Sequence, residues 1–279
     1  MSKRFGGMGV HEVQRVGLVG CGRMGSAMAL HLLAAGWPVM VTDVDLEARD
    51  RLVEGGASGA ATAREVAEAS DLVLTAVVDD AQVRDAVAGP EGALAGARPG
   101  TVIAVCASVR PDTCTELAAA GDERGSHVMD VALVRGERGA EAGRLLLYCG
   151  GAEDVIDACR SAFSAFATDV VAVGGVGAGQ VAKTANNILL WACIRADLEA
   201  LRLGRALGVE PSVLRSVLSL GSGANRVLDE WGQHRLRWPR KDLDTAVALA
   251  EEAGVDVPLV RALGPLMEEL SVSDLHELT

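Results

Sequence analysis

Lysine is nearly absent from this 279-residue sequence: of 26 basic residues only Lys3, Lys183 and Lys241 carry an ammonium group. Histidine is sparse too. Its five positions include no HExxH or comparable pair, so the chain lacks the spacing of a metal site. The six cysteines (Cys21, Cys106, Cys114, Cys149, Cys159 and Cys193) form no CxxC pair and fall mostly in apolar runs. That pattern points to buried free thiols in a reducing cytoplasm. No apolar run is long enough to span a bilayer, and the opening "MSKRFGGMGVHEVQ" lacks the apolar stretch of a signal peptide. Positive charge is in deficit as well. A formal net charge of -12 argues against nucleic acid or an anionic membrane as the main partner. Small anions remain possible, because local donors hold them.

What is present describes a soluble globular protein. Residues are 49% hydrophobic, which supplies an ample core, and the length suggests two domains. The first half carries the clearest signal, "VQRVGLVGCGRMGSAMALHLLAAGWPVMVTDVD". Val16–Val19 read as a strand, followed by G-x-G-x-x-G at Gly20, Gly22 and Gly25. A helical stripe then runs through Met24, Met28, Leu32 and Leu33, and a second strand (38–42) ends at Asp43. In such a unit the first glycine permits a tight turn, the second lets backbone approach a pyrophosphate, and the third brings helix and strand together. The phosphates sit on N–H groups at the helix N-terminus. Gly20, Cys21, Gly22, Arg23, Met24 and Gly25 are therefore expected to line a dinucleotide. Asp43 can accept from both ribose hydroxyls and would repel a 2′-phosphate, so NAD is expected, with NADP possible.

Further strands are expected at 71–78, 101–108, 126–134, 144–151 and 169–173, separated by helical patterns. This alternation predicts an α/β, Rossmann-type, doubly wound and mostly parallel sheet. Val77, Val78 and Ser108 fall at carboxyl ends of strands, where such sheets bind ligands. After "GGVGAG" the period becomes helical from about residue 177 to 207, long enough for an interdomain helix. More helices follow in "EPSVLRSVLSLG", "RKDLDTAVALAEEAG" and the closing "VPLVRALGPLMEELSVSDLHEL". The expected division is a dinucleotide-binding domain at 1–175 and an all-helical domain at 176–279.

Lys183 and Asn187 lie one turn apart within that long helix, so they share a face. General acid–base chemistry needs a side chain that can change protonation state. Lysine can change protonation state when buried, whereas arginine effectively cannot. Spacing alone would equally fit a lysine paired with a carboxylate and an asparagine capping a turn.

Four stretches in order, "GLVGCGRMGSAMA", "MDVALVRGERGAEAGRL", "GVGAGQVAKTANN" and "KDLDTA", resemble the β-hydroxyacid dehydrogenase family. That family includes 3-hydroxyisobutyrate dehydrogenase and tartronate semialdehyde reductase. The resemblance implies Lys183 and Asn187 as the catalytic pair, Lys241 as a cofactor ligand, and a homodimer or homotetramer assembled through the helical domain. It implies NAD(P)-dependent interconversion of a 3-hydroxyacid-type alcohol with its aldehyde or ketone. An imine reductase shares this architecture, although its members usually lack a lysine at position 183. A cofactor-binding sensor without catalysis is the reading from another class.

Two departures stand out. Where the family reads D-A-P-V-S-G-G, this chain has Asp130-Val131-Ala132-Leu133-Val134-Arg135-Gly136, so the serine hydroxyl is replaced by Val134. Substrate contacts are expected from Val134, Arg135, Gly136 and Asn187. A guanidinium at 135 could grip a carboxylate through two parallel hydrogen bonds, suiting a bulkier or more anionic acid. The stretch from Lys183 to "KDL" is also shorter than is usual in the family, and the segment that there closes over the substrate is reduced to "DEWGQHRLRWPR".

Overall fold

The computed structural model describes residues 12–279, so most of the stretch read above for a signal peptide lies outside the described residues. In the first compact unit, strands and helices alternate: β1 (Val16–Val19), α1 (Arg23–Ala34), β2 (Val39–Thr42), α2 (Leu46–Glu54), β3 (Ser58–Gly59), α3 (Ala63–Glu68) and β4 (Leu72–Thr75). They continue with α4 (Asp80–Ala88), α5 (Ala93–Gly96), β5 (Val102–Val105), α6 (Pro111–Asp122), β6 (His127–Val134), α7 (Gly136–Glu141), β7 (Leu145–Gly150), α8 (Glu153–Phe163) and β8 (Ala167–Gly174). The eight strands form one sheet in the order β3-β2-β1-β4-β5-β6-β7-β8. Every neighbouring pair is parallel except β6 with β7.

The strand pattern explains why the central runs carry no polar alternation. In β4, Leu72 and Leu74 enter one buried cluster and Val73 the other, and in β5 Val102 and Ala104 separate likewise from Ile103 and Val105. Helices cover both faces, so both sets of alternate side chains leave water. Chain order reverses between β1 and β4, and the carboxyl ends of those strands form the crevice in which such sheets take ligands. The two-residue β3 was not expected from sequence. It pairs Ser58 and Gly59 with Met40 and Val41, and neither residue type favours strand by itself.

Helix α9 (Ala178–Ala206) runs for 29 residues. The compact units divide between Lys183 and Thr184, within this helix. The second unit adds α10 (Pro211–Leu218), α11 (Arg226–Asp229), α12 (Pro239–Glu252), α13 (Pro258–Glu268) and α14 (Val272–His276). Proline opens α10, α12 and α13, where its missing N–H costs nothing. Trp191, Ile194, Leu198 and Leu201 recur every three or four residues and form one stripe of the second unit's core. Trp231, Leu243, Val260, Leu263 and Met267 pack into the same cluster. The four-residue α11 was not expected from sequence.

Candidate active site

The glycine-rich turn joins β1 to α1 and discriminates between its own three glycines. Gly20 has φ +100°, and a Cβ there would lie 2.6 Å from the Ala76 carbonyl oxygen. At Gly25 a Cβ would meet the Gly20 oxygen at 2.0 Å. The protein's own packing therefore demands both glycines. Gly22 differs, since a Cβ there would find nothing within 4 Å. The open space over Gly22, beside an α1 N-terminus that no side chain caps, fits a pyrophosphate brought against bare backbone.

The other residues expected around this turn play separate parts. The Cys21 side chain is buried, and burial followed by the nearby Asp43 charge pushes its thiol up to about 12, so it stays protonated. Met24 packs into the core, and Val77 lies beside Gly20. Arg23 is exposed and pairs with Glu137 of α7 at 3.1 Å. Asp43, half-buried at the end of β2, accepts from the backbone N–H groups of Cys21 and Asp45. Those bonds hold its carboxylate beside the turn, with lone pairs left for hydroxyl donors. Val78, past the end of β4, is 65% exposed.

Across the sheet, the structure brings together two residues that the sequence placed 75 positions apart. Lys183 Nζ donates to Ser108 Oγ at 2.7 Å, on the segment that leaves the carboxyl end of β5. The first turn of α9 makes this possible. Asp130, fully buried in β6, accepts from the backbone N–H of Gly177 and from that of Gln180 at 2.8 Å. A carboxylate at a helix N-terminus satisfies donors that would otherwise be orphaned. Burial pushes the Asp130 carboxyl above its ordinary range, and the N–H bonds partly oppose that. Glycine is needed nearby: a Cβ at Gly179 would lie 2.4 Å from the Tyr148 oxygen, and one at Gly150 would lie 2.3 Å from Asp130 Oδ1. Sequence reasoning missed both Asp130 and Gln180 as site residues. A carboxylate within the apolar "VMDVALV" was the available signal for the first.

Past β6, Val134 is half-buried, and Arg135 and Gly136 adopt left-handed φ values of 78° and 61°. The Arg135 guanidinium is turned to the β7–β8 side. Its Nη1 donates to the Arg144 carbonyl at 3.0 Å and to Thr168 Oγ1 at 2.7 Å, and its Nη2 pairs with Asp169 at 2.8 Å. Through these protein partners the side chain braces the loop. In the second unit, Asn187 lies one turn beyond Lys183 along α9, and its side-chain oxygen accepts from Asn186 at 3.3 Å. Lys241 is exposed on the first turn of α12. No helix is long and apolar enough to cross a membrane, and no cluster of metal ligands occurs among the described residues.

Comparison with known proteins decides the family. The family model described as "NAD binding domain of 6-phosphogluconate dehydrogenase" matches residues 15–175. A second, "NAD-binding of NADP-dependent 3-hydroxyisobutyrate dehydrogenase", matches residues 177–278. The chain belongs to the β-hydroxyacid dehydrogenase family. This β-hydroxyacid dehydrogenase is 34% identical over 227 residues to the NAD-dependent L-serine dehydrogenase of Pseudomonas aeruginosa, covering 81% of this chain and 75% of that one. It is 31% identical over 261 residues to the 3-hydroxyisobutyrate dehydrogenase of the same organism, covering 88% of each. Its fold is similar to the structure of Mycobacterium tuberculosis 3-hydroxyisobutyrate dehydrogenase with L-serine (TM-score 0.85, 24% identity, 95% of this chain and 99% of that one). Imine reductases share the fold at 20–22% identity, a likeness of architecture alone. The β-hydroxyacid dehydrogenase uses NAD or NADP and oxidises or reduces a hydroxyacid-type substrate.

Proposed function

We propose that Lys183 is the general acid–base of this dehydrogenase, acting on a small 3-hydroxyacid or its carbonyl counterpart. The Lys183–Ser108 hydrogen bond of 2.7 Å carries the reading, because it fixes the ammonium group at the carboxyl edge of the sheet. A nicotinamide bound at the glycine-rich turn would supply the hydride acceptor or donor. Lys183 takes the hydroxyl proton as hydride leaves, or delivers a proton to the carbonyl oxygen in reverse. Asn187, one turn along α9, orients the hydroxyl or a carboxylate through its amide. The backbone of the Val134–Gly136 turn, braced by Arg135, completes the substrate contacts. Relatives named for L-serine and 3-hydroxyisobutyrate support a small 3-hydroxyacid.

The same reading assigns NAD ahead of NADP, because the Asp43 carboxylate is held beside the turn, where a 2′-phosphate would meet it. It divides the work between residues 1–175 for the dinucleotide and 176–279 for substrate and assembly, and it keeps Lys241 as a cofactor ligand on the strength of the family resemblance. It places the enzyme as a homodimer or homotetramer in the cytoplasm, in keeping with six free cysteines. Assay of NADH formation against a panel of 3-hydroxyacids, with wild type beside Lys183→Ala, tests it. Turnover by wild type and loss of roughly 10²–10⁴-fold in kcat by the variant support the assignment.

A further inference from the structure

The Gln180 side chain is 2% exposed and sits on the first turn of α9, three residues before Lys183. Its Nε2 donates to the Ala107 carbonyl at 2.9 Å, and its Oε1 accepts from the Val109 N–H at 3.3 Å. One amide thus grips the residues on either side of Ser108. The same residue's backbone N–H is held by Asp130 at 2.8 Å. Ser108 and Lys183 are therefore tied together twice, once directly and once through Gln180.

We propose that Gln180 is a positioning residue for catalysis: its amide fixes the backbone around Ser108, so that Ser108 Oγ holds the Lys183 ammonium in register for proton transfer. The proposal rests on Lys183 being the acid–base. The choice of side chain supports it. Packing alone would be met by methionine or leucine of similar volume, and the helix N-terminus already has the Asp130 carboxylate. What the site requires in addition is one donor and one acceptor, matched to a carbonyl and an N–H two residues apart, and a primary amide supplies both. Its neutrality matters as well. A carboxylate there would lose the donor to Ala107 and set a charge beside the residue that Lys183 uses as acceptor.

Kinetics of Gln180→Met, Ser108→Ala and the double variant test this, at saturating cofactor. Gln180→Met keeps volume and removes both amide bonds. It should lower kcat roughly 10- to 100-fold, as expected for a misplaced catalytic group, with substrate KM and cofactor Kd within about twofold of wild type. Because Gln180 acts through Ser108, the double variant should lose no more than the worse single variant. Unchanged kcat in Gln180→Met overturns the proposal. So does a loss carried by KM or cofactor Kd, or a double variant whose loss is the product of the two singles. If Gln180→Met does not fold, Gln180→Glu keeps the bond from Val109 and takes its place in the same cycle, with the same outcomes. The arms separate from the parent reading: a Lys183→Ala variant with wild-type kcat refutes the acid–base assignment whatever Gln180 does.

Discussion

At the scale of single residues, the site rests on groups whose freedom has been taken away. Asp43 is the clearest case, since two backbone N–H groups hold its carboxylate beside the glycine-rich turn. Asp43→Ser should narrow or reverse the preference of kcat/KM for NAD over NADP, because the repulsion of a 2′-phosphate goes with the carboxylate. Wild-type enzyme that used NADP as well as NAD would contradict the assignment. Part of this layer was legible: the three glycines and Asp43 stand out by spacing and residue type, whereas Lys183 was singled out by the family resemblance. Asp130 and Gln180 were not legible, for a physical reason. Their partners lie 47 to 73 residues away and are mostly backbone atoms, which leave no mark of residue type on the sequence. The serine partner of Lys183 was named from its strand end, yet nothing local joined the two.

At the scale of elements, the β6–α7 turn departs most from expectation. Sequence offers Arg135 as a ligand for a carboxylate, whereas the structure spends its guanidinium on Arg144, Thr168 and Asp169. Arg135 also holds a φ of 78°, which an L side chain adopts only at a cost. Arg135→Ala should therefore cost about 1 kcal/mol in unfolding free energy and, by loosening the turn, raise KM for acid and methyl ester by the same modest factor. A steep rise in KM for the acid alone would return Arg135 to the substrate. Long, periodic elements such as α9 were readable because many positions vote for one period. The two-residue β3 and the four-residue α11 have too few positions to vote.

At the scale of the whole molecule, one carboxylate ties the entry ends of adjacent strands. Asp71, just before β4, accepts from Arg15 ahead of β1 and from Arg98 ahead of β5. Burial alone would push its carboxyl upward, but the Arg15 guanidinium and the N–H groups of Gln14 and Arg15 outweigh this and hold it below the ordinary range. A lowered folded value means that the unfolded chain binds the proton more readily. Asp71 thus contributes stability above about pH 4, and that contribution is lost as pH falls through its folded value. Asp71→Asn should cost about 2 kcal/mol at neutral pH and flatten the acid limb of the stability curve. An unchanged acid limb in urea titrations would place the acid sensitivity elsewhere. In the second unit, Val213, Val217 and Leu220 recur at helical spacing along α10 and just past it, exposed by 57%, 53% and 88%. Under the proposed homodimer or homotetramer, this is the face that assembly through the helical domain would cover. Val217→Glu with Leu220→Asp should shift sedimentation toward monomer, and an undisturbed assembly would exclude that face.

The central claim is that Lys183 moves the proton, and single-turnover kinetics of Lys183→Ala and Lys183→Arg with bound NAD test it most directly. The account predicts cofactor affinity close to wild type in both, with hydride transfer slowed roughly 10²–10⁴-fold in each, since guanidinium stays protonated where ammonium can yield its proton. An arginine variant that kept most of the wild-type rate would contradict it, reducing Lys183 to a fixed positive charge.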